Sequence, residues 1–427
     1  MNAYERIIAL GVLTMSLVSC GGGGGGGNNT ASSPPPATVA LAGTATAVLP
    51  GSANPQSNQL AVTVEQDPAV TAFQTVNLPY VTVTICDVNN NCQTIDHVVV
   101  DTGSYGLRIL QSAITNPNMN LSSELIGSDP VAECTAFLDG FMWGSVNLAT
   151  IQLSGEIATQ IPVQVVGDSA VSGVSTPPTT CSNNGVDESN LNGIGGNGIL
   201  GVGLFTADDQ QYYTCTNGSC IPYGTPNNPI LQPTQQVSNP VPSFSRDNNG
   251  VILQMPSVPD GGAGMATGTL TFGVGTQTDN SASGLQWLAA DYSGNISVTL
   301  QDTTYGASFI DSGSNFYYVP LNNVPSDVNQ NYTPAQPTLY PLSLTPNVGP
   351  VNTVPQNMLV VNPAQMPSSS LAMDDVDIDL GQTSGAATGS ADLGMPFFYG
   401  KSLAFVINGQ SAPGIGTGPR YGVPAAQ

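Results

Sequence analysis

Alternation between apolar and polar positions is the main pattern of this chain through most of its length. Residues 80–85 and 93–100 alternate around a run of asparagines, which is typical of two strands joined by a turn. Similar runs return at residues 268–273, 284–288 and 296–300. Heptad repeats and long amphipathic helical patterns are absent from the sequence. The pattern therefore predicts an all-β fold.

Two of the predicted strands end in the same kind of sequence. The strand at residues 98–100 runs into Asp101, and the strand at residues 307–310 runs into Asp311, 210 positions later. Two carboxylates brought close together share one proton and can activate a water molecule. The spacing suits one acid from each of two lobes, so we predict Asp101 and Asp311 as a catalytic pair.

Each of these acids is followed by a hydroxyl residue, a glycine and a serine. The glycines would let the loop backbones approach closely and donate N–H groups to the carboxylates. The first hydroxyl residues would hold the two loops together, and the serines would bond the outer carboxylate oxygens. The residues predicted to support the pair are Thr102, Gly103, Ser104, Ser312, Gly313 and Ser314.

The N-terminal part of the chain differs from the rest in composition. Arg6 precedes an apolar run that is too short to span a bilayer, and small residues precede Cys20. This pattern is similar to the signal peptide and lipobox of bacterial lipoproteins, in which the cysteine is lipidated; an ordinary signal peptide is the alternative. Glycine and proline runs follow. We predict a signal peptide at residues 1–20 and a disordered tether at residues 21–75.

Charge limits the partners that the chain can bind. There are 28 acidic residues against five Lys and Arg, so the net charge is −23. A basic surface for nucleic acid cannot be built from so few cations, and anionic lipid headgroups are disfavoured for the same reason. Gly21 stands where inner-membrane lipoproteins carry Asp. We therefore expect a monomer held by its lipid anchor alone in the outer membrane, facing the periplasm or the cell surface.

Cysteine usage agrees with export. Six cysteines remain after Cys20, an even number that favours three disulfides in an oxidising compartment. A zinc site is the alternative, but the spacings contain no Cys-x-x-Cys pair. The two pairs that are close in sequence, followed by the pair left by subtraction, are Cys86–Cys92, Cys215–Cys220 and Cys134–Cys181.

The chain has a single histidine, His97, on the predicted strand that leads to Asp101. Zinc motifs such as His-Glu-x-x-His need two histidines and are therefore excluded. A Ser-His-Asp triad would have to use His97. We expect a structural role for His97, hydrolytic chemistry carried by carboxylates, and no metal or other cofactor.

Over residues 77–427, the chain resembles the pepsin-like bilobal aspartic peptidases. Besides the two Asp-containing loops, residues 198–201 (Gly-Ile-Leu-Gly) resemble the segment that closes the loop around the first Asp in that family. Residues 394–401 further resemble a bacterial lipoprotein family of unassigned function. The resemblance implies two β-lobes, here at residues 76–240 and 241–427. It also implies a cleft between the lobes, in which the Asp pair hydrolyses peptide or protein substrates.

The family carries a tyrosine on a flap hairpin of the first lobe, and this chain departs from that pattern. No tyrosine occurs between Tyr105 and Tyr212, and Phe137 falls near the expected position. Trp143 could supply an indole N–H in its place, with core packing as the alternative for both aromatics. In the second lobe, Asp392 stands where an apolar residue is usual.

Two functions remain open from the sequence. The first is an exported, lipid-anchored aspartic endopeptidase, which the two complete Asp loops favour. The second is an envelope lipoprotein of the same fold with little or no catalysis, acting as a binding module. The missing flap tyrosine and Asp392 favour this second function.

An acidic run at residues 374–379 places alternate acids on one face of a strand, a pattern that can bind calcium. The run lacks the twelve-position pattern of a calcium-binding loop. We therefore predict that it forms a solvated edge strand.

Overall fold

The structure of the chain is a computed structural model, which describes residues 46–49, 57–137, 140–168, 176–208, 210–223, 231–379 and 389–425. The predicted signal peptide, Cys20 and much of the predicted tether lie outside the described residues. Within the described part of the chain, no helix is both long and apolar enough to cross a membrane. The fold is all-β and has two lobes, which confirms the predicted fold class.

The described residues of the first half form fourteen strands and two single-turn α-helices. They are β1 (Thr46–Val48), β2 (Gln59–Val64), β3 (Pro79–Cys86), β4 (Cys92–Asp101), β5 (Tyr105–Leu110), β6 (Ser122–Ser123), β7 (Leu125–Ile126), β8 (Asp129–Ala136), β9 (Gly140–Leu153), β10 (Glu156–Val166), α1 (Thr179–Ser182), β11 (Val186–Asp187), α2 (Leu191–Ile194), β12 (Gly198–Val202), β13 (Gln211–Thr216) and β14 (Ser219–Pro222).

The second half contains the remaining strands. They are β15 (Gly250–Gln254), β16 (Met265–Phe272), β17 (Leu285–Ala289), β18 (Ile296–Leu300), β19 (Thr303–Ile310), β20 (Tyr317–Val319), β21 (Thr338–Thr345), β22 (Val354–Val360), β23 (Asp377–Asp379), β24 (Asp392–Leu393), β25 (Ser402–Val406), β26 (Ser411–Ala412), β27 (Gly416–Thr417) and β28 (Arg420–Pro424).

A six-stranded antiparallel sheet connects the two lobes. Its strands lie in the order β2, β16, β15, β25, β28 and β17. At one edge, β2 also pairs with β3 of the first lobe. Because β2 comes early in the chain and β28 comes late, this sheet holds distant parts of the chain against one apolar core.

The predicted tether is wrong over its last part. Residues 57–75 belong to the folded protein, and β2 pairs with β16 from Gln59 to Val64. Val62 and Val64 on this strand are fully buried in the main core. The alternation Gln-Leu-Ala-Val-Thr-Val is a strand pattern that the surrounding Gly- and Pro-rich composition obscured. β1 also pairs with β16, in parallel.

The strands around the two Asp loops have the same arrangement in both lobes. In the first lobe, β12 lies between β4 and β5, parallel to one and antiparallel to the other. In the second lobe, β24 lies between β19 and β20 with the same orientations. Each Asp loop therefore connects two strands that are separated by a third, inserted strand.

The inserted strands require glycine where they meet the loops. A Cβ atom on Gly201 would lie 2.6 Å from the backbone nitrogen of Tyr105, and one on Gly394 would lie 1.9 Å from the carbonyl oxygen of Phe316. These neighbours are backbone atoms, which cannot turn away as a side chain can. Glycine is therefore the residue that allows the two strands to pass beside the loops.

All three predicted disulfide pairings are present. Cys86–Cys92 closes the turn between β3 and β4, and Cys215–Cys220 joins the paired strands β13 and β14. The third bond joins β8 to α1. Its partners are Cys134 and Cys181, both fully buried.

Candidate active site

The two predicted catalytic acids lie at equivalent places in the two lobes. Asp101 is the last residue of β4, and Asp311 directly follows β19. The buried valines of β4 fix the end of that strand in the first lobe. The buried Ile310 does the same for the second. The structure brings the two side chains together, and each is 0% exposed.

Backbone and hydroxyl groups of the loops hold the Asp101 carboxylate. Its Oδ1 accepts hydrogen bonds from the N–H groups of Gly103, at 2.7 Å, and Ser104, at 3.0 Å. Its Oδ2 accepts a hydrogen bond from the Ser104 hydroxyl. Three hydrogen bonds from its own loop therefore fix the orientation of the Asp101 carboxylate.

The Asp311 carboxyl group has a similar but not identical set of neighbours. Its Oδ1 accepts from the N–H of Gly313 at 2.7 Å and from the N–H of Gly103, in the other lobe, at 3.1 Å. Its Oδ2 lies 3.1 Å from the Ser314 hydroxyl oxygen. The Gly103 N–H thus contacts both acids and links them directly.

Two hydroxyl residues tie the loops to each other across the lobe interface. The Ser312 N–H donates to the Thr102 hydroxyl at 2.9 Å, and the Thr102 N–H donates to the Ser312 hydroxyl at 3.1 Å. Each hydroxyl then donates to a backbone carbonyl of the opposite lobe, at Ile310 and Val100 respectively. The relative position of the carboxyl groups is therefore fixed by buried hydrogen bonds, in which each of the two hydroxyl groups both donates and accepts.

The two glycines are required by the close approach of the loops. A Cβ atom on Gly103 would lie 2.4 Å from Asp311 Cγ, and one on Gly313 would lie 2.7 Å from Asp101 Cγ. Both distances are shorter than any ordinary contact between carbon atoms. Any larger residue at either position would push the opposite acid out of place.

Burial and the neighbouring carboxyl groups together disfavour ionisation of Asp311. Burial raises the pKa of Asp311 well above its usual range, and the adjacent carboxyl groups of Asp101 and Asp392 raise it further. The hydrogen bond from the Gly313 N–H opposes this shift. Because the carboxyl groups of Asp101 and Asp311 are in hydrogen-bonding contact, the pair retains a proton well above the pH at which a free carboxyl group loses it.

Comparison with known proteins assigns the chain to a family. Residues 54–422 match the family described as "Protein of unknown function (DUF3443)". The chain belongs to this family. No curated protein matches it significantly. Among solved structures, it is similar to the crystal structure of aspartic proteinase from Irpex lacteus, with 15% sequence identity and a TM-score of 0.46. That similarity covers 86% of this chain and 96% of the other.

A third carboxyl group lies beside the pair. Asp392, on the inserted strand β24, is 3% exposed, and its Oδ2 lies 2.5 Å from the Ser314 hydroxyl oxygen. Its Oδ1 is buried and has no hydrogen-bond partner among the described residues. Burial raises the pKa of Asp392 well above its usual range, a shift that the Ser314 hydrogen bond opposes and the charge of Asp101 increases. The sequence marked Asp392 as an unusual residue, but did not show that it contacts the site.

The predicted flap corresponds to the hairpin of β8 and β9, and Phe137 follows β8 directly. The Phe137 N–H donates to the carbonyl of Gly140 at 2.8 Å, and its ring packs partly buried near Met142. Leu138 and Asp139, between them, lie outside the described residues. Phe137 therefore lies near the turn of this hairpin, and its assignment as a flap residue stays a prediction.

Trp143 lies in the core of the first lobe. It is 3% exposed, and its ring packs edge-to-face on Tyr213 at 5.2 Å, in a cluster with the Cys134–Cys181 disulfide. Its indole nitrogen has no hydrogen-bond partner among the described residues. Core packing, the alternative interpretation for this residue, therefore describes its position better than a substrate-facing role.

The expectation of a solvated acidic strand at residues 374–379 is wrong. The strand β23 lies at the edge of its sheet, but Asp375 and Asp377 are 2% and 1% exposed. Burial raises the pKa of Asp374 to about 6 and that of Asp375 to about 7, because a charged carboxylate loses its hydration there. No group of three metal-binding side chains that could hold an ion occurs in the described residues, which gives no support for a calcium site.

A buried charged cluster in the first lobe was not predicted. Arg108, on the otherwise apolar strand β5, is 1% exposed and bonds Glu133 at 2.7 Å and the carboxylate of Asp208. Two acids around one cation leave an excess negative charge, and burial raises the pKa of Asp208. A single Arg among five apolar or aromatic neighbours could have indicated a buried charge in the sequence. Its acidic partners could not be identified, because they are far away in sequence.

His97 occupies a packing position away from the pair of acids. Its ring packs edge-on against Tyr80 at 5.0 Å, and its nitrogens lie 3.6 Å from Glu65 and 3.4 Å from Asp96. These contacts agree with the structural role expected for His97.

Proposed function

We propose that this chain is an aspartic endopeptidase that hydrolyses peptide bonds with Asp101, Asp311 and an activated water. The observation that supports it most is the contact between two fully buried carboxyl groups, one from each lobe, in loops with matching hydrogen bonds. A structural role would not need two acids in contact, because burying them together costs free energy.

The proposed mechanism uses one proton shared by the pair. The ionised carboxylate takes a proton from a water molecule, and the oxygen of that water attacks the carbonyl carbon of the peptide bond. The protonated carboxyl group donates its proton to the carbonyl oxygen. When the tetrahedral intermediate breaks down, a proton passes to the leaving nitrogen and the pair returns to its starting state. The loop N–H groups keep both carboxyl groups in place throughout.

Cleavage of a peptide library by the detergent-solubilised full chain tests the proposal, from about pH 3 to about pH 8. The Asp101→Asn and Asp311→Asn variants should each lose cleavage, by about 1000-fold or more, because neither can share a proton in the same way. Asp302→Asn, at an exposed turn, is the matched control and should cleave normally. Equal cleavage by all variants would show that the pair is not the catalyst.

A binding module with weak or no catalysis is the second candidate. Two observations favour it: Phe137 in place of the flap tyrosine, and the third acid Asp392 beside the pair. Absence of cleavage by folded protein at every pH would support this candidate. Binding of pepstatin without peptide hydrolysis would further point to a cleft that binds extended peptides.

We also propose that the chain is exported and anchored by lipid at Cys20, in the outer membrane and facing the periplasm or the cell surface. The support is the sequence pattern alone, because Cys20 lies outside the described residues. Incorporation of labelled fatty acid in a bacterial host should be lost in Cys20→Ser, with release of the protein from membranes. Equal labelling of both chains would contradict the lipid anchor.

A further inference from the structure

The Ser314 hydroxyl group contacts two carboxyl groups at once. Its oxygen lies 3.1 Å from Asp311 Oδ2 and 2.5 Å from Asp392 Oδ2. A serine hydroxyl has one proton and can donate to only one of them. For both contacts to be hydrogen bonds, either Asp311 or Asp392 must itself carry a proton and donate it to Ser314.

The two acids of the pair are not held in the same way. Asp101 accepts three hydrogen bonds from its own loop, including one from the Ser104 hydroxyl, which bonds no second carboxyl group among the described residues. The outer oxygen of Asp311 faces a hydroxyl whose shorter contact is to Asp392. The charge of Asp392 is among the causes that raise the pKa of Asp311, so Asp392 loses its proton before Asp311 does. At that stage, a proton on Asp311 completes the chain from Asp311 through Ser314 to an ionised Asp392.

One proton at that position satisfies two requirements together. The Asp101–Asp311 pair carries one proton on one of its two acids, and the Asp311–Ser314–Asp392 chain needs one on Asp311 or Asp392. A proton on Oδ2 of Asp311, bonded to Ser314 rather than to Asp101, meets both needs. We propose that Asp392 is a positioning residue which, through the Ser314 hydroxyl, holds the shared proton on Asp311 and keeps it there toward neutral pH. The proposal rests on the proposed peptidase function and makes Asp101 the base and Asp311 the acid of the reaction.

In the described part of the chain, the surroundings of Asp392 contain acids but no cation paired with it. Asp392 faces Asp311 at the end of β19 and Asp101 across the interface, and it pairs with Tyr318 on β20. The Tyr318 hydroxyl donates to Asn315. On the far side of β20, β23 brings Asp377 next to Tyr317. Among the described residues, no Lys, Arg or His forms an ion pair with Asp392.

The direction of the effect follows from these charges. A negative charge on Asp392 opposes ionisation of the last proton in the pair, so the pair keeps its active, singly protonated form to higher pH. Removing that charge lets the last proton leave at lower pH. The alkaline limb of the activity profile should then move down, while activity at acidic pH stays similar.

The test compares the pH dependence of kcat/KM for the full chain with Asp392→Asn and Asp392→Ile. Asn keeps the shape and a hydrogen bond to Ser314, and Ile is the residue at the equivalent place on β12, Ile199. Both variants should move the alkaline limb down by about one pH unit, which is roughly a tenfold loss near neutral pH. An unmoved limb would overturn the proposal. A uniform loss at every pH would also overturn it, because it would indicate a structural role only.

A second measurement separates this proposal from the peptidase proposal. Infrared difference spectra of the folded proteins near neutral pH should show a protonated carboxyl band in the wild-type chain that is weaker in Asp311→Asn, Asp392→Asn and Asp392→Ile. The absorption bands of other buried acids, such as Asp377, are common to all these proteins and cancel in the difference spectra. If neither the wild-type chain nor any variant cleaves peptides but these bands behave as expected, the peptidase proposal fails. The role of Asp392 in holding the shared proton on Asp311 is then still supported. Unchanged bands would reject the role of Asp392 whatever the activity.

Discussion

The two Asp loops have matching backbones but differ in one neighbouring side chain. On the inserted strand of the first lobe, Ile199 lies opposite Val99, two positions before Asp101. At the equivalent place in the second lobe, Asp392 lies opposite Phe309, two positions before Asp311. Both side chains are buried. A single buried acid can therefore make the protonation of the two Asp loops unequal, although their strands are arranged in the same way.

The same contrast extends to the other buried acids of the lobes. In the first lobe, Glu133 and Asp208 share the guanidinium group of Arg108. In the second, Asp375 and Asp377 form no ion pair among the described residues. Acids that lack a cation remain buried most easily when they are protonated. The second lobe is thus expected to respond more strongly to pH than the first.

The largest expected effect comes from breaking the close approach of the two loops. Gly103→Ala would place a Cβ atom against the Asp311 carboxyl group, so the two acids can no longer meet. We expect kcat/KM to fall by about 100-fold or more, since a misplacement of about 1 Å is enough for such a loss. Kinetics on the same peptide substrate, with thermal unfolding beside it, would measure this.

Gly306→Ala is the matched control for that variant. Gly306 lies on β19, and the nearest atom to its added Cβ would be 3.9 Å away. This variant should keep its activity. Similar activity in the two variants would contradict the comparison of the loops, which depends on the close approach of each loop glycine to the opposite acid.

An intermediate effect is expected from the serines that follow the acids. Ser314→Ala removes the link between Asp311 and Asp392, which leaves Asp392 without its hydrogen bond and favours its neutral form. The alkaline limb of the pH profile should move down by about one pH unit.

Ser104→Ala sharpens this comparison, because among the described residues the Ser104 hydroxyl bonds only the Asp101 carboxylate and not a second acid. It should lower kcat without moving the alkaline limb. Equal shifts in the two serine variants would show that the two lobes hold their protons in the same way.

The smallest effect is a change in stability in the second lobe. Burial raises the pKa of Asp375 from 3.8 to about 7, so the folded chain binds this proton more tightly than the unfolded chain does. The resulting stabilisation is lost as pH rises from about 4 to about 7. Asp375→Asn should raise Tm by about 2–4 °C near pH 8 and change it little near pH 4.

Thermal unfolding at both pH values measures that effect, with Asp302→Asn at an exposed position as the control. A variant that is less stable than the wild-type chain near pH 8 would mean that Asp375 is charged and paired there. The contrast in buried acids between the lobes would then be lost.

The parts of the site that are local in sequence were predictable. Each Asp loop contains its acid, its N–H donor and its serine within four positions, so residue types alone indicated most of the hydrogen bonds around Asp101. The short disulfides were predictable for the same reason. The strand at Gln59–Val64 was missed because its partner, β16, is about 200 positions away and the composition nearby is typical of a tether.

The sequence by itself determined that the chain is all-β and that it carries two matching Asp loops, and it led to the hypothesis that these carboxylates carry the chemistry. Only the tertiary structure decided which acids are buried, which share a hydroxyl group, and which have a cation nearby. Ser314 and Asp392 are 78 positions apart, and Arg108 and Asp208 are 100 apart. The reason is physical: residue type and alternation act over a few neighbours, whereas the proton affinity of a carboxyl group depends on burial and charges that folding brings from distant parts of the chain.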